Sequence, residues 1–361
     1  MRISRAALAA TVLAGATAVG FAVSVGTASA ESDPTSGKIV AASAAETPQL
    51  TQIEWHSDVN TTTMIKGVTL TGRLSSAGSV PEGTELTVTR SFGTGSIVVI
   101  GTVKTDASGF FSLFDKPPFT GQIEYGVRFA GNELLQSATE TEMVWVERAQ
   151  SALALAVSPA GVHNLGATVT LTATLGPTYS NRVVEFWADP AGTDQAPRLI
   201  KRAVVYSNGK MLASVPVTRN TVVTVKFSGD AAYHPTSRAV SLWTRVAAST
   251  TLTKHYKTAK IGGVSYQYFR KSVDPVINQT MTAAPNRKVR SVIQIWSGGK
   301  WQFWSARDTK LTTAGKASFT FITGAKAGSM FRVRAEYIIG TSGDSLNANT
   351  QGAWKYFTLT N

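Results

Sequence analysis

VKFSGDAAYHPTSRAVSLW, residues 225–243, puts an Asp, a His, a Ser and an Arg into a short stretch broken by glycine, as an active-site loop would. Whether it is a site or scaffolding depends on whether it recurs. YGVRFAGNELLQSATETEMVWV (125–146) follows it in outline, and so does FRVRAEYIIGTSGDSLNANTQGAWKYFTL (331–359). Aligning Val127, Val225 and Val333 gives offsets of 98 and 108 residues, the size of a small domain, and self-similarity at such a period takes precedence over single-residue readings. The turns around Gly109, Gly209 and Gly315 (DASGFF, YSNGKM, TTAGKA) precede the three stretches at similar distances.

Within each copy the alternation is that of half-buried strands. Phe331, Val333, Ala335 and Tyr337 share one face, and Arg332, Arg334 and Glu336 the other. TVTLTATL, RVVEFW and VIQIW alternate in the same way, and no helical period appears beyond the first 30 residues. About seven short strands per 100 residues, separated by Gly/Pro/Asn turns, predict antiparallel two-sheet sandwiches.

The expected organisation is a signal peptide (1–30), a flexible lead-in (31–48), and three sandwiches at 49–148, 149–247 and 248–361. Arg2 and Arg5, the Ala/Val/Leu/Gly run after them and Ala28-Ser29-Ala30 form the export signal, with cleavage after Ala30 and no transmembrane segment thereafter. The chain has no Cys, so in an oxidising compartment each domain must fold on buried apolar surface alone. WKYFTLTN at the end reads as a last strand without a sorting motif, so any retention at a surface is expected to be non-covalent.

LALAVSPAGVHNLGATVTLTATL, VEFW, NGK and VTVKFSGDAAYHPTSRAVSL together resemble the bacterial immunoglobulin-like repeat domain of secreted and surface proteins. The resemblance covers residues from about 50 to 361 and is clearest in the second copy. It implies an immunoglobulin-like sandwich and an extracellular spacer, adhesion or ligand-binding role, and it carries no catalytic residues.

Against the first copy, Asp230, His234 and Arg238 become Asn132, Gln136 and Glu140, while Gly229 corresponds to Gly131. Geometry recurs and chemistry varies, so the opening stretch reads as a loop between paired strands, its Gly supplying positive φ and its Asp capping a turn. The four histidines are far apart with no metal-ligand spacing, and neither a nucleophile elbow, a phosphate loop nor a calcium loop is present. No enzyme and no cofactor is expected.

Charge is more informative. Residues 49–148 hold 7 Lys+Arg against 11 Asp+Glu, 149–247 hold 9 against 4, and 248–361 hold 16 against 4. A basic last domain points to an anionic polysaccharide or cell-wall polymer as partner, outside the cell and without specific nucleic-acid recognition. With Ile293 and Ile295 facing the core, Gln294 and Trp296 face outward. The third and sixth strands are neighbours in an immunoglobulin sandwich, which brings Trp296 beside Arg332 and Arg334, with Lys300, Trp301 and Trp304 on or after the adjoining hairpin. These aromatic and cationic groups are the candidate ligand face, an indole stacking on a sugar ring while the cations hold its charge. Trp301 and Phe303 share a parity, which leaves Trp301 open as a core residue. Trp187 and Lys226 occupy matching positions in the second copy, so the arrangement also reads as ordinary packing on the outer sheet face. The alternative function is a structural or adhesive module that binds another protein through sandwich edges or loops.

Overall fold

A computed structural model describes residues 47–93 and 95–361. The expected signal peptide and nearly all of the lead-in lie outside the described residues. Among those described there is no helix long and apolar enough to cross a membrane, and the elements are strands throughout.

The first repeat contributes β1 (Thr51–Ser57), β2 (Thr61–Thr63), β3 (Val68–Ser76), β4 (Glu85–Phe92), β5 (Val98–Lys104), β6 (Phe110–Asp115), β7 (Gly121–Phe129) and β8 (Ala138–Glu147). The second contributes β9 (Leu153–Ser158), β10 (Val162–His163), β11 (Ala167–Leu175), β12 (Val183–Pro190), β13 (Arg198–Val204), β14 (Lys210–Val217), β15 (Thr221–Phe227) and β16 (Thr236–Thr244). The third contributes β17 (Ala248–Thr253), β18 (Lys257–Ile261), β19 (Val264–Arg270), β20 (Val276–Met281), β21 (Lys288–Ser297), β22 (Lys300–Lys310), β23 (Lys316–Thr320), β24 (Met330–Tyr337), β25 (Thr350–Gln351) and β26 (Lys355–Thr360).

Each repeat pairs a three-stranded sheet with a larger one. The orders are β1-β3-β6 with β2-β8-β7-β4-β5, then β9-β11-β14 with β10-β16-β15-β12-β13, then β17-β20-β23 with β18-β19-β26-β24-β21-β22. Neighbouring third, sixth and seventh long strands in one sheet are the immunoglobulin arrangement. Contrary to a purely antiparallel expectation, β2, β10 and β19 run parallel to β8, β16 and β26, β2 and β10 at the edge of their sheets and β19 one strand in from it. In the third repeat this edge is a full hairpin, β18–β19, which widens the sheet.

The alternation of the sequence places the core. Val169, Leu171 and Ala173 of β11 face Val184 and Phe186 of β12 and Val223 and Val225 of β15, all buried. Phe331, Val333, Phe357, Phe269 and Ile293 fill the third repeat, where Phe331 and Phe357 stack with ring centroids 5.2 Å apart.

The opening stretch is β15, a loop and β16, and its chemistry is spent on holding the loop. Asp230 accepts the N–H groups of Tyr179 (2.8 Å), Ser180 (3.0 Å) and Asn181 (3.3 Å) on one oxygen, and of Ala232 (3.0 Å) and Tyr233 (2.9 Å) on the other. Gly229 has φ +79°, and a Cβ there would meet Pro235 N and Tyr233 O at 2.8 Å. The His234 N–H bonds Ala149 O, clipping the incoming segment of the repeat. This loop is scaffold. Burial alone would raise the Asp230 carboxyl, but the N–H donors outweigh it and hold its pKa below the ordinary value.

Asp230→Ala leaves five N–H groups unmet, two of them in the buried residues Ala232 and Tyr233, and is expected to lower stability by about 1–3 kcal/mol in denaturant titration. The folded pKa of Asp230 lies below its unfolded value, so its contribution is complete above the usual Asp pKa of about 3.9 and is lost as pH falls through the depressed value. Acid unfolding of the wild type and of Asp230→Asn should therefore converge at low pH; curves that stay parallel would contradict this role.

Candidate functional site

The outer face of the large sheet of the third repeat is set by strand register. Gln294 of β21 lies opposite Arg332 of β24, Arg332 opposite Tyr356 of β26, and Tyr356 opposite Tyr266 of β19. One row across four strands thus carries an amide, a guanidinium and two phenols on one side of the sheet. At its margin β21 and β22 join through Gly298-Gly299, both at positive φ (59° and 78°), the two-residue turn that only glycine-like residues accept readily. That turn sets Trp296 opposite Trp301 and Ser297 opposite Lys300.

The rings and guanidinium groups stack into a ladder. Arg332 Cζ sits 4.7 Å from the Trp301 ring centroid and 4.2 Å from that of Trp354, and Arg334 Cζ lies 4.3 Å from the same Trp354 ring. The order is therefore Trp301, Arg332, Trp354, Arg334. Arg332 also donates from Nε (2.8 Å) and Nη2 (2.5 Å) to Gln294 Oε1. Trp301 meets Trp296 at 5.3 Å and Tyr356 at 5.7 Å, and Tyr356 meets Tyr266 at 5.4 Å, so seven aromatic and cationic side chains form one continuous array with Trp296 39% exposed at its rim. Burial, then the neighbouring Tyr356, pushes the Tyr266 phenol above its ordinary pKa, with Arg332 opposing. The Tyr266 phenol therefore stays neutral, and the charge of the face comes from its cations.

Of the residues expected here, Trp296, Gln294 and Arg332 are brought together on the outer face, and Lys300 is exposed beside the hairpin. Arg334 is on the same face but is not a free cation: its Nη2 lies 2.5 Å from Glu336 Oε1, and its Nε donates to the same oxygen at 2.6 Å. Trp301 belongs to the ladder and not to the core. Trp304 does not belong to the face. A bulge between Ile293 and Gln294 makes Trp304 the unpaired residue of β22, and its ring packs edge-on against buried Phe331 at 5.6 Å. Bulges at the same place leave Ile100 of β5 and Ile200 of β13 unpaired, and both pack on their cores. One extra residue reverses parity, which a period-two reading cannot detect.

Trp354, Tyr356 and Tyr266 were not among the expected residues. Tyr356 alternates with buried Phe357 and so was readable; Trp354 precedes its strand, and the β18–β19 hairpin bearing Tyr266 has no counterpart in the other repeats. In the second repeat Lys226 Nζ lies 5.3 Å from the Trp187 ring centroid, and Trp187 Nε1 donates to Glu185 at 2.9 Å, so a single cation–indole pair stands where the third repeat has a ladder. Among the described residues, no three of His, Asp or Glu are grouped to hold a metal ion.

No family model matches the chain, and no curated protein sequence matches it. Among solved structures it is similar to a tetra-tandem repeat in the extending region of a large adhesion protein, with 16% identity over 86% of this chain and 74% of that one and a TM-score of 0.39. It is also similar to invasin, a bacterial integrin-binding protein (14% identity, 85% of this chain, 60% of that one, TM-score 0.33). Salmonella alpha-2-macroglobulin reacted with methylamine matches at 13% identity over 85% of this chain but 23% of its own length, with a TM-score of 0.22. With scores this low the fold rests on the strand order above, and none of these likenesses bears on function.

Arg332→Ala removes two stacking contacts and two hydrogen bonds, and is expected to cost about 1–3 kcal/mol in chemical unfolding. Arg332→Lys should recover only a fraction, because an ammonium has no planar surface to stack. Tryptophan emission should shift to the red in both variants as Trp301 and Trp354 gain solvent; unchanged emission and stability would show that the ladder does not form.

Proposed function

We propose that the chain is a non-catalytic, extracellular repeat protein of three immunoglobulin-like domains, and that it attaches reversibly to anionic envelope or matrix polymers through the outer face of the third. The observation that carries this reading is how its charge is left. Of the four acids between 248 and 361, Asp308, Glu336 and Asp344 are already paired with Arg290, Arg334 and Arg287. Lys257, Lys260, Lys300 and Lys355, at the two margins and the centre of the large sheet, have no acid partner among the described residues; alternation puts Lys257 on the ladder's side of the sheet and the other three, all exposed, at strand ends on the opposite side.

Two kinds of work divide between the residues. The ladder is stiff: its guanidinium groups are stacked on rings and bonded to Gln294 and Glu336, so the face can present flat indole edges to a sugar ring with little ordering cost. The lysines are long, solvated and unpaired; Lys257 borders the face directly, and the others add to the positive field of the domain that draws a polyanion in without demanding one geometry. Attachment built this way is broad in specificity and sensitive to salt.

The test is co-sedimentation of the full chain with a purified anionic glycopolymer and with a neutral polysaccharide across a salt series. Binding to the anionic polymer alone, weakening at least several-fold between about 0.1 M and 1 M salt as the screening length falls from about 10 Å to about 3 Å, is the expected result. Lys257→Ala, Lys300→Ala and Lys355→Ala combined should weaken binding, and Trp296→Ala should weaken it without altering the salt slope. Equal binding to both polymers, or none at low salt, would overturn the reading.

A further inference from the structure

The large sheet of each repeat ends on the strand that follows the bulge: β5, β13 and β22. Such an edge offers a row of unpaired N–H and C=O groups, and proteins commonly guard it with charge, above all lysine. The three edges are at equivalent places and carry the same bulge, so they can be compared position by position. β13 reads RLIKRAV, with Arg198, Lys201 and Arg202 exposed, and β22 carries Lys300, Arg307, Asp308 and Lys310.

β5 and the residue before it read IVVIGTVK. From Gly95 to Val103 there is no charged residue, and Ile97, Val98 and Val99 are 71%, 52% and 63% exposed. Aligned on the bulged residues Ile100, Ile200 and Trp304, Val98 stands where the second repeat has Arg198, Gly101 where it has Lys201, and Thr102 where it has Arg202. Beside this edge, Phe92 at the end of β4 packs edge-on against Phe119 at 5.5 Å, and both rings are exposed. Of the three edges β5 carries the fewest charges, Lys104 at its end alone, although the first repeat is the most acidic of the three; β22 is uncharged from Trp301 to Ala306 but is flanked by Lys300, Arg307, Asp308 and Lys310.

We propose that β5 is a dimerisation edge, and that its partner is β5 of a second copy of this chain, paired antiparallel across a two-fold axis into one continuous sheet. The occupant follows from charge. A two-fold pairing sets an edge against itself, so β13 or β22 would bring Lys201 and Arg202, or Arg307 and Lys310, against their own copies, whereas Ile97 to Val103 meets itself with no like charge and with branched apolar side chains on both faces. The charge of the neighbouring acids stays off the strand, Lys104 being tied to Glu85 at 3.2 Å.

Sedimentation equilibrium of the full chain across a dilution series tests this. The expected result is a monomer–dimer equilibrium, abolished by Val99→Lys, which faces solvent and should leave folding intact. Leu199→Lys at the matching place on β13 is expected to leave it unchanged. Hydrogen exchange on the same samples should show amide protection over 97–104 that rises with concentration and is absent in Val99→Lys. A monomer at every concentration, open-ended growth beyond the dimer, or a dimer that survives Val99→Lys would overturn the proposal.

Discussion

The Gly-Asx loop between the last two long strands is the constraint on which each repeat depends. Its geometry recurs at Gly131-Asn132, Gly229-Asp230 and Gly343-Asp344, with φ of +85°, +79° and +91°. What the Asx side chain holds grows along the chain. Asn132 accepts two N–H groups, those of Leu134 and Leu135, and Asp230 accepts five. Asp344 holds a buried cation: Arg287, 1% exposed, donates Nε to Oδ2 and Nη2 to Oδ1, each at 2.7 Å. Without a disulfide anywhere in the chain, loops of this kind stop the sandwiches from opening at that end.

Burying an arginine is costly unless every donor is met and its charge is paired. Here Nη1 donates to Thr282 O at 2.7 Å, Nη2 also to Asn347 Oδ1 at 2.8 Å, and the guanidinium lies 4.8 Å from the Tyr337 ring centroid. Tyr337 in turn donates to Asp344 Oδ1 at 2.7 Å; burial and that bond push its phenol up to about 12. Burial alone would raise the Asp344 carboxyl, yet Arg287, Tyr337 and the Leu346 N–H together hold it below its usual value. The cluster also reaches across to the second repeat. Asn347 Nδ2 donates to Thr218 O and Thr244 O at 3.2 Å, and the N–H groups of Asn220 and Ala348 bond Leu346 O and Thr244 O. One loop therefore closes its own sandwich and grips the preceding one.

Much of this was legible in the sequence because strand faces follow a period of two. The core face of β24 and the outward places of Gln294, Trp296 and Arg332 follow from alternation and strand order; the register does not, and where the sequence set Trp296 beside Arg332 the structure puts Gln294 opposite Arg332 and Trp296 opposite Trp301. The scaffold role of Asp230 followed from its replacement by Asn132 in the first copy. What escaped were departures from the period: the bulge that takes Trp304 off the ladder's face and sets its ring, still 44% exposed, against Phe331, Trp354 lying ahead of its strand, and the extra β18–β19 hairpin. The pairing of Arg334 with Glu336 escaped for a different reason. Parity put both on one face, but only rotamers decide that two neighbours of like parity bond each other instead of facing solvent.

The ladder explains why basic and aromatic residues accumulate together in the third repeat. Large rings on an outer sheet face are costly to leave in water, and a guanidinium laid between two of them covers both while keeping its edge hydrated. Arg332 covers Trp301 and Trp354 in this way, where the second repeat manages one ring with Lys226. An arginine used so cannot also reach freely for a ligand, since Gln294 already takes two of its N–H groups. In the attachment proposed above, charge is therefore supplied by lysines without an acid partner, of which Lys257 lies on the ladder's side of the sheet beside Tyr268, while the ladder supplies the aromatic plane. The two readings of this face, packing and binding, are therefore not rivals: the packing of Arg332 is what makes the aromatic plane rigid enough to present.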